Sequence, residues 1–275
     1  MKHLSSIPNS RLKSGLQPLT SLSKSLRLLL TLRDATEPMS LTEISRALGL
    51  NKVTALRILV TMEQYRFVEK DLPAKKYKIG CNAFYVGSGF IAGGRHDKVL
   101  ETMKDIVQEL KHTITLGVLD GASVLFVERV DGTERVKVTV DIGSRVPAYS
   151  SAAGKALLAG LSDGEITKRL KPVPFERFTD TTLRSLESLA ADIAKVRARG
   201  FAVNNEESTK GLVAVAVPVK NQLGQHVAAL GAAFPAGMLK SKEDQKKVAK
   251  RLAVAADEIG RLGIRNSKEI STLAS

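Results

Sequence analysis

Hydrophobic residues near the start of the chain recur every three or four positions, as expected for one face of an amphipathic helix. The first predicted helix begins near Ser21 and ends before Glu37, because Pro38 disfavours helical backbone in the residue that precedes it. Residues 1–19 show no such period and are rich in polar residues, so they predict a flexible basic arm. The buried stripe of the helix is predicted to be Leu22, Leu26, Leu29 and Leu30.

Two shorter helices are predicted next, separated by a turn at Gly49. Residues 40–43 read Ser-Leu-Thr-Glu, a capping box in which a hydroxyl and a carboxylate satisfy each other's free amides. Gly49 can adopt the left-handed conformation that ends the second helix, and Asn51 can cap the third. Two short helices around a glycine turn are typical of a helix-turn-helix. The predicted inner faces are Leu41, Ile44, Ala47 and Leu48, then Ala55, Ile58, Leu59 and Met62.

A wing and a linker are predicted to follow the helix-turn-helix. Residues 67–70 and 76–79 predict two short strands joined by a turn at 71–74. Residues 81–94 are apolar and contain several glycines, and we interpret them as a linker helix that packs against a second copy. The predicted organisation is a basic arm at 1–19, a winged helix-turn-helix at 20–80, a linker helix at 81–95 and a second domain at 96–275.

The second domain is predicted to be α+β, with an antiparallel sheet. Its strands are expected as a hairpin over 113–130 that turns at Asp120-Gly121, a strand at 136–141, and a hairpin of 211–219 with 226–234. Residues 143–147 are expected to form a loop. Helices are expected at 97–111, 151–160, 183–199 and 242–263.

Charge narrows the kind of partner. The net charge is +14, and residues 1–80 hold 14 Lys and Arg against 6 Asp and Glu. A basic module of this kind points to a polyanion, although charge alone does not distinguish DNA from RNA or a membrane surface.

No apolar run reaches the roughly 18 residues that span a bilayer, and the start lacks a signal-peptide pattern, so we expect a cytoplasmic protein without membrane contact. Cys81 is the sole cysteine, which excludes an intrachain disulfide and a thiolate-rich metal site.

The outward face of the third helix is the expected reader of the DNA major groove. Lys52 and Thr54 suit phosphate or base contacts, and Arg57 can fork onto guanine or clamp a phosphate. Val53 and Leu56 are unusual on such a face. They either contact thymine methyl groups or pack within the domain.

The wing lysines are expected to approach the DNA backbone, the alternative being a solvated run of charges. Arg11, Lys13 and Lys24 are weaker candidates for phosphate contacts from the arm. The full set of predicted DNA-binding residues is Ser40, Thr42, Asn51, Lys52, Val53, Thr54, Leu56, Arg57, Lys75, Lys76 and Lys78.

No residue pattern in the chain meets the requirements of catalysis. Residues 148–155 end in Gly-Lys, but Tyr149 stands where a phosphate loop needs its first glycine. Ser151 and Lys155 are separated by three residues rather than by the two of the Ser-x-x-Lys motif. We therefore expect neither an enzyme nor a cofactor, and we interpret Glu206 and Glu207 as structural.

Taken in order, several segments resemble the IclR family of bacterial transcriptional regulators over about residues 21–263. These segments are SLSKSLRLLLTL, LTEISRALGLNKVTALRILVTM, FVEKD with YKIG, GSRVPAYSSAAGKALLA, GFAVNNEESTKGLVAVAVPV and AALGAAF. The resemblance implies a winged helix-turn-helix, a linker helix for dimerisation, and a GAF-like α/β domain that senses a small-molecule effector. It also implies dimers or tetramers that control metabolic genes.

An effector site is expected at the start of the helix near Ser151, where free amides and the positive end of the helix dipole suit a carboxylate. The alternative is a helix that simply packs. The resemblance places an acidic residue, a cysteine and serines where this chain has Asn204, Ala214, Gly231 and Ala233. A small, nearly uncharged wall of this kind favours an aromatic or longer-chain organic acid. The predicted effector-binding residues are Ser150, Ser151, Ala152, Gly154, Asn204, Ala214, Gly231 and Ala233.

The function these observations favour is a ligand-responsive repressor or activator that binds a double-stranded operator as a homodimer or tetramer. Two alternatives remain at this point. One is a DNA-binding domain fused to a catalytic small-molecule domain. The other is an architectural DNA-binding protein without an effector.

Overall fold

The computed structural model describes residues 17–89, 96–134, 140–239 and 241–262. The chain divides into two compact units, Met1–Gly89 and Phe90–Ser275, each with its own hydrophobic core. Most of the predicted arm and residues 90–95 of the predicted linker helix lie outside the described residues, so their boundaries stay predictions.

The first unit has the expected order of helices and wing strands. The capping box is confirmed, because the Glu43 carboxylate accepts the Ser40 N–H at 2.7 Å and the Ser40 hydroxyl accepts the Glu43 N–H at 3.3 Å. Gly49 has a φ of +65°, and the Asn51 side chain accepts the Thr54 N–H at 2.7 Å. The elements are α1 Thr20–Asp34, β1 Met39–Ser40, α2 Leu41–Leu48, α3 Lys52–Gln64, β2 Val68–Asp71, β3 Lys76–Ile79 and α4 Cys81–Ser88.

The buried face of α1 differs from the prediction. Leu28 and Leu32 enter the core, whereas Leu22, Leu26 and Leu30 are exposed. Of the predicted stripe, only Leu29 packs against the core. The helix carries leucines in two overlapping stripes, and the spacing alone cannot say which of them faces α2 and α3.

β1 was not predicted from the sequence. Met39 pairs with Tyr77 and Ser40 with Lys76, so the two-residue strand lies beside β3 and gives the sheet order β1-β3-β2. A strand this short leaves no alternation to detect.

The second unit is the predicted α+β domain. Its six strands pair antiparallel in the order β6-β5-β4-β9-β8-β7, and both predicted hairpins are present. The elements are α5 His96–Leu110, β4 Ile114–Asp120, β5 Ser123–Val130, β6 Arg145–Pro147, α6 Ala152–Leu158, α7 Asp163–Leu170, α8 Leu186–Arg199, β7 Ala202–Asn205, β8 Leu212–Lys220, β9 His226–Pro235 and α9 Lys242–Arg261.

Several elements of this unit depart from the prediction. Residues 145–147 form an edge strand instead of a loop, a place where Pro147 is tolerated because an edge strand need not donate every N–H. The predicted strand at 136–141 falls mainly outside the described residues, and residues 140 and 141 are not in a strand. Helix α8 begins three residues late because Ser185 caps it. Neither β7 nor α7 was predicted, although Ser162 and Glu165 form a capping box.

The two faces of the sheet bury different side chains. Helices α5 and α9 cover a face of Val, Leu and Ile residues, among them Val215, Val217 and Leu230. Helices α6 and α8 cover a face rich in alanine, including Ala202, Ala216 and Ala229. The smaller side chains leave room between α6 and the sheet.

Leu28→Ala should destabilise the first unit by about 2 to 5 kcal/mol, because it removes a fully buried side chain from the core. Leu26→Ala is the matched control, because Leu26 lies on the same helix but is 52% exposed. It should change the free energy of unfolding by about 0.5 kcal/mol or less. Hydrogen exchange of α2 and α3 amides in the full chain measures both. A larger loss for Leu26→Ala than for Leu28→Ala would mean that α1 packs with the stripe predicted from the sequence.

Candidate effector cavity and DNA-binding surface

The outward face of α3 carries an unusual set of apolar side chains. Val53 is 70% exposed, Leu56 is 40% exposed and Val60 is 54% exposed. Val53 therefore packs little within the described part of its unit, whereas more than half of Leu56 is covered there. Lys52 and Arg57 are also exposed, whereas Thr54 is half-buried. The face that sequence reasoning assigned to the major groove is thus accessible, and Val60 extends its apolar part.

The other predicted DNA-binding residues either cap helices or lie exposed or in the wing. The side chains of Ser40 and Asn51 cap helices, while Thr42 is exposed. Lys75 lies in the wing turn with a φ of +52°, and Lys76 begins β3 opposite Ser40.

Lys78 is already paired within the wing. Its Nζ lies 3.1 Å from the Glu69 carboxylate. Of the three predicted wing lysines, Lys75 alone lies in the turn at the tip.

In the second unit, strand pairing brings the four predicted small or neutral residues together. Asn204 pairs with Ala214 and Ala214 with Ala233, which places the three in one row across β7, β8 and β9. Gly231 lies two residues before Ala233 on the same face, opposite Thr115 of β4. All four line a cavity of about 90 Å³.

The start of α6 forms the opposite wall of this cavity, with Ser151 and Ala152 among the lining residues. The Ser151 hydroxyl accepts the Gly154 N–H at 3.0 Å and so caps the helix. The first amides of a helix have no partner inside it, which leaves those of Ala152 and Ala153 for a ligand or water. Apolar side chains such as Phe126 make up most of the remaining wall.

Two predicted effector-binding residues do not line the cavity. The Ser150 hydroxyl donates to the Pro147 carbonyl, and the Ser150 carbonyl accepts from Asn204. Gly154 faces away from the cavity, since a Cβ on it would lie 2.2 Å from the Ala148 carbonyl oxygen. Both residues position the start of α6 instead, because the chain turns back on itself there.

Asn204 has less bonding capacity to offer a ligand than its position suggests. Its amide nitrogen donates to the Ser150 carbonyl at 2.8 Å and to the Ser208 hydroxyl at 2.9 Å. Its oxygen accepts the Glu207 N–H at 2.8 Å. An amide nitrogen has two hydrogens, so both are used.

A buried ion pair supports the same wall. Lys155 is completely buried, and its Nζ donates to both carboxylate oxygens of Glu207 at 2.6 and 2.8 Å. Asp192 of α8 supplies a second carboxylate, with one oxygen 2.8 Å from the same nitrogen. Burial raises the pKa of Glu207 above its ordinary value, and the charge of Lys155 opposes this rise. The interpretation of Glu207 as structural agrees with these contacts.

Sequence reasoning missed other residues of the cavity wall. They lie on different elements, and their contribution depends on strand register that the sequence does not reveal. The Thr115 hydroxyl has no hydrogen-bond partner among the described residues and is the least committed polar group of the wall. The missed lining residues include Thr115, Phe126, Val140, Val146, Ser208 and Leu212.

The described part of the chain has no helix that is long and apolar enough to cross a bilayer. Its first unit is a winged helix-turn-helix, and its second encloses a cavity between a sheet and a helix. The combination defines a DNA-binding transcriptional regulator.

The chain belongs to the IclR family. Residues 21–72 match the IclR helix-turn-helix domain, and residues 96–261 match the C-terminal domain of the bacterial transcriptional regulator IclR. The HTH-type transcriptional regulator KdgR of Escherichia coli is 31% identical over 212 residues, 77% of this chain and 81% of that protein. The transcriptional repressor IclR of Escherichia coli is 30% identical over 218 residues, 78% and 80% of the two chains. Both relatives are regulators of transcription.

A solved structure shows the same fold. An IclR homologue from Microbacterium hydrocarbonoxydans, complexed with 4-hydroxybenzoate, matches with a TM-score of 0.78 and 23% identity. The match covers 88% of this chain and 99% of that one.

Glu207→Gln should destabilise the second unit by about 1.5 to 3 kcal/mol, because the buried Lys155 cation loses one charged hydrogen-bond partner and keeps Asp192. Glu101→Gln makes the same change at an exposed position of α5 and should alter the free energy of unfolding little. Calorimetric unfolding of the full chain compares the two. Equal effects would show that the buried pair adds nothing to the stability of the wall.

Proposed function

We propose that this regulator represses or activates metabolic genes by binding an inverted-repeat operator as a homodimer or tetramer. An inverted repeat matches the two-fold symmetry of a dimer, with one recognition helix in each half-site. The exposed side chains of α3 supply the base contacts, and the wing lysines approach the sugar-phosphate backbone. The apolar part of α3 favours thymine-containing half-sites, because Val53 and Leu56 can contact the thymine methyl group.

The aromatic side chains of α4 support dimerisation. Phe84 is 77% exposed, Tyr85 is 76% exposed and Val86 is 61% exposed on this short helix. Adjacent exposed apolar side chains of this size mark interaction surfaces more often than solvated ones. A second copy of the same helix is the occupant we propose.

The cavity between α6 and the sheet is the proposed effector site. Its wall of alanine, valine and phenylalanine offers few polar partners, and a small hydroxyacid would leave oxygens unpaired at about 1 to 3 kcal/mol each. An aromatic or longer-chain acid gains about 25 cal/mol per Å² of apolar surface buried and can present one carboxylate to the first amides of α6.

The cavity is small for an aromatic acid. Its volume of about 90 Å³ is below the roughly 150 Å³ of an engineered apolar cavity that binds benzene. An aromatic acid must therefore displace side chains of the wall. The 4-hydroxybenzoate-bound structure shares only the fold at 23% identity, so the ligand class rests on the cavity lining.

The effector proposal depends mainly on one observation. Asn204, Ala214, Gly231 and Ala233 all line one wall of the cavity. A thermal-shift screen with central and aromatic metabolites tests it, because a ligand that binds only the folded state stabilises it by mass action. A stabilising acid should also change operator affinity. A protein that no metabolite stabilises would favour the architectural alternative, and turnover of a ligand would favour the catalytic one.

Ala214→Phe should abolish binding of the stabilising acid, since the ring fills the cavity from the middle of the row. Gly231→Ala is the graded control. Its Cβ would meet neighbours at 3.5 Å, an ordinary contact, so the fold is kept while the cavity shrinks by one methyl group. Calorimetry measures the ligand and a gel shift measures DNA, whose binding should persist in both variants. Tight binding of pyruvate or glyoxylate, with no response to aromatic acids, would refute the proposed ligand class.

Val53→Ala should weaken binding of the full chain to its preferred duplex by about 1 kcal/mol, because two methyl groups lose contact with a thymine methyl. On a duplex in which uracil replaces that thymine, the variant should bind as tightly as the unsubstituted protein, because uracil lacks the methyl group. Fluorescence anisotropy with both duplexes makes the comparison. A loss that is equal on thymine and uracil at every position would exclude a methyl contact.

A further inference from the structure

An open groove of about 630 Å³ lies between the first half of α1 and one side of α3. Lys24 of α1 and Arg57 of α3 line it from opposite helices. No acidic side chain is among the described residues that line it, and neither cation forms an ion pair within the described part of the chain. Two positive charges from different helices thus face one space without a compensating anion.

The other polar groups that line the groove are hydroxyls, some of which are hydrogen-bonded within the protein and some of which are not. Ser25 donates to the Ser21 carbonyl at 3.0 Å and Thr61 donates to the Arg57 carbonyl at 2.9 Å, so these two hydroxyls are turned back onto their own helices. The hydroxyls of Thr20, Ser21 and Thr54 make no hydrogen bond within the described residues. They are therefore available as donors beside the two cations.

A tetrahedral anion with several acceptor oxygens suits this arrangement of donors. Arginine presents planar, rigid donors that match phosphate oxygens, and lysine adds a compact charge. Hydroxyl side chains are common partners of DNA phosphates in protein–DNA complexes. The edge of a base offers acceptors in one plane only. A base would therefore bind one pair of donors, and the donors on the opposite helix would have no partner.

We propose that the groove binds one phosphodiester group of the DNA backbone, with Lys24 and Arg57 as its two cationic partners and Ser21 and Thr54 as hydroxyl donors. The inference rests on the proposed function, in which α3 enters the major groove. It assigns Arg57 to the backbone and not to guanine. Sequence reading then falls to the neighbouring exposed residues of α3, and α1 sets how deeply that helix sits.

The test uses the full chain and a duplex that it selects from a random library. Lys24→Gln and Arg57→Gln should each weaken binding about ten- to hundredfold, as expected for hydrogen bonds to a charged group. Each should also flatten the slope of log affinity against log salt by about 0.9. Arg27→Gln removes the same charge from an exposed position of α1 outside the groove and serves as the control.

Methylphosphonate substitution, which removes the charge of one phosphate at a time, then locates the contact. At one and the same substituted position, both groove variants should bind as tightly as the unsubstituted protein. Any difference in affinity between Arg27→Gln and the unsubstituted protein should be the same at that position as on the unmodified duplex. The inference is overturned if the two groove variants respond to different phosphates. It is also overturned if Arg57→Gln keeps its penalty on every methylphosphonate and loses discrimination at one base pair.

Failure of the proposed function gives a different result. In that case, the unmodified protein selects no duplex at all. If it selects a duplex that both groove variants bind as tightly, the groove assignment alone is wrong. Both residues are solvent-accessible, and circular dichroism of the variants checks that the fold is retained.

Discussion

A completely buried lysine joins three segments of the second unit, and its charge must be compensated inside the protein. Lys155 belongs to α6, Asp192 to α8 and Glu207 to the turn after β7, so one cation joins three separate segments. Removing one partner from a buried pair leaves a charge without compensation, which is far more costly than exchanging the whole group for apolar side chains. This cluster of charges adds to the apolar packing of the alanine-rich face, where Leu158, Leu189 and Ile193 are also buried.

The elements that were predicted best are those whose ends are set by residues close together in the sequence. The capping box at Ser40, the left-handed Gly49 and the hairpin turn at Gly121 each specify backbone geometry within a few residues. Elements defined by distant partners were missed. The edge strand β6 exists only because β5 lies beside it, and the face of α1 was misassigned because both of its leucine stripes satisfy the same period.

The candidate site was predictable to a similar extent. Asn204, Ala214, Gly231 and Ala233 came from comparison with a family pattern, and the register of three strands gathers them on one wall. The same reasoning could not foresee that the amide nitrogen of Asn204 is fully engaged, or that Lys155 pairs with a residue 52 positions away. Hydrogen-bond partners between distant segments depend on the completed fold.

The double role of Ser40 has a consequence for substitutions at this position. This residue caps α2 with its side chain and pairs with Lys76 of β3 through its backbone, so the wing is attached to the helix-turn-helix at the point where α2 begins. A change at Ser40 would therefore disturb the start of α2 and the edge of the wing sheet together. Variants at this one position would report on two parts of the first unit at once.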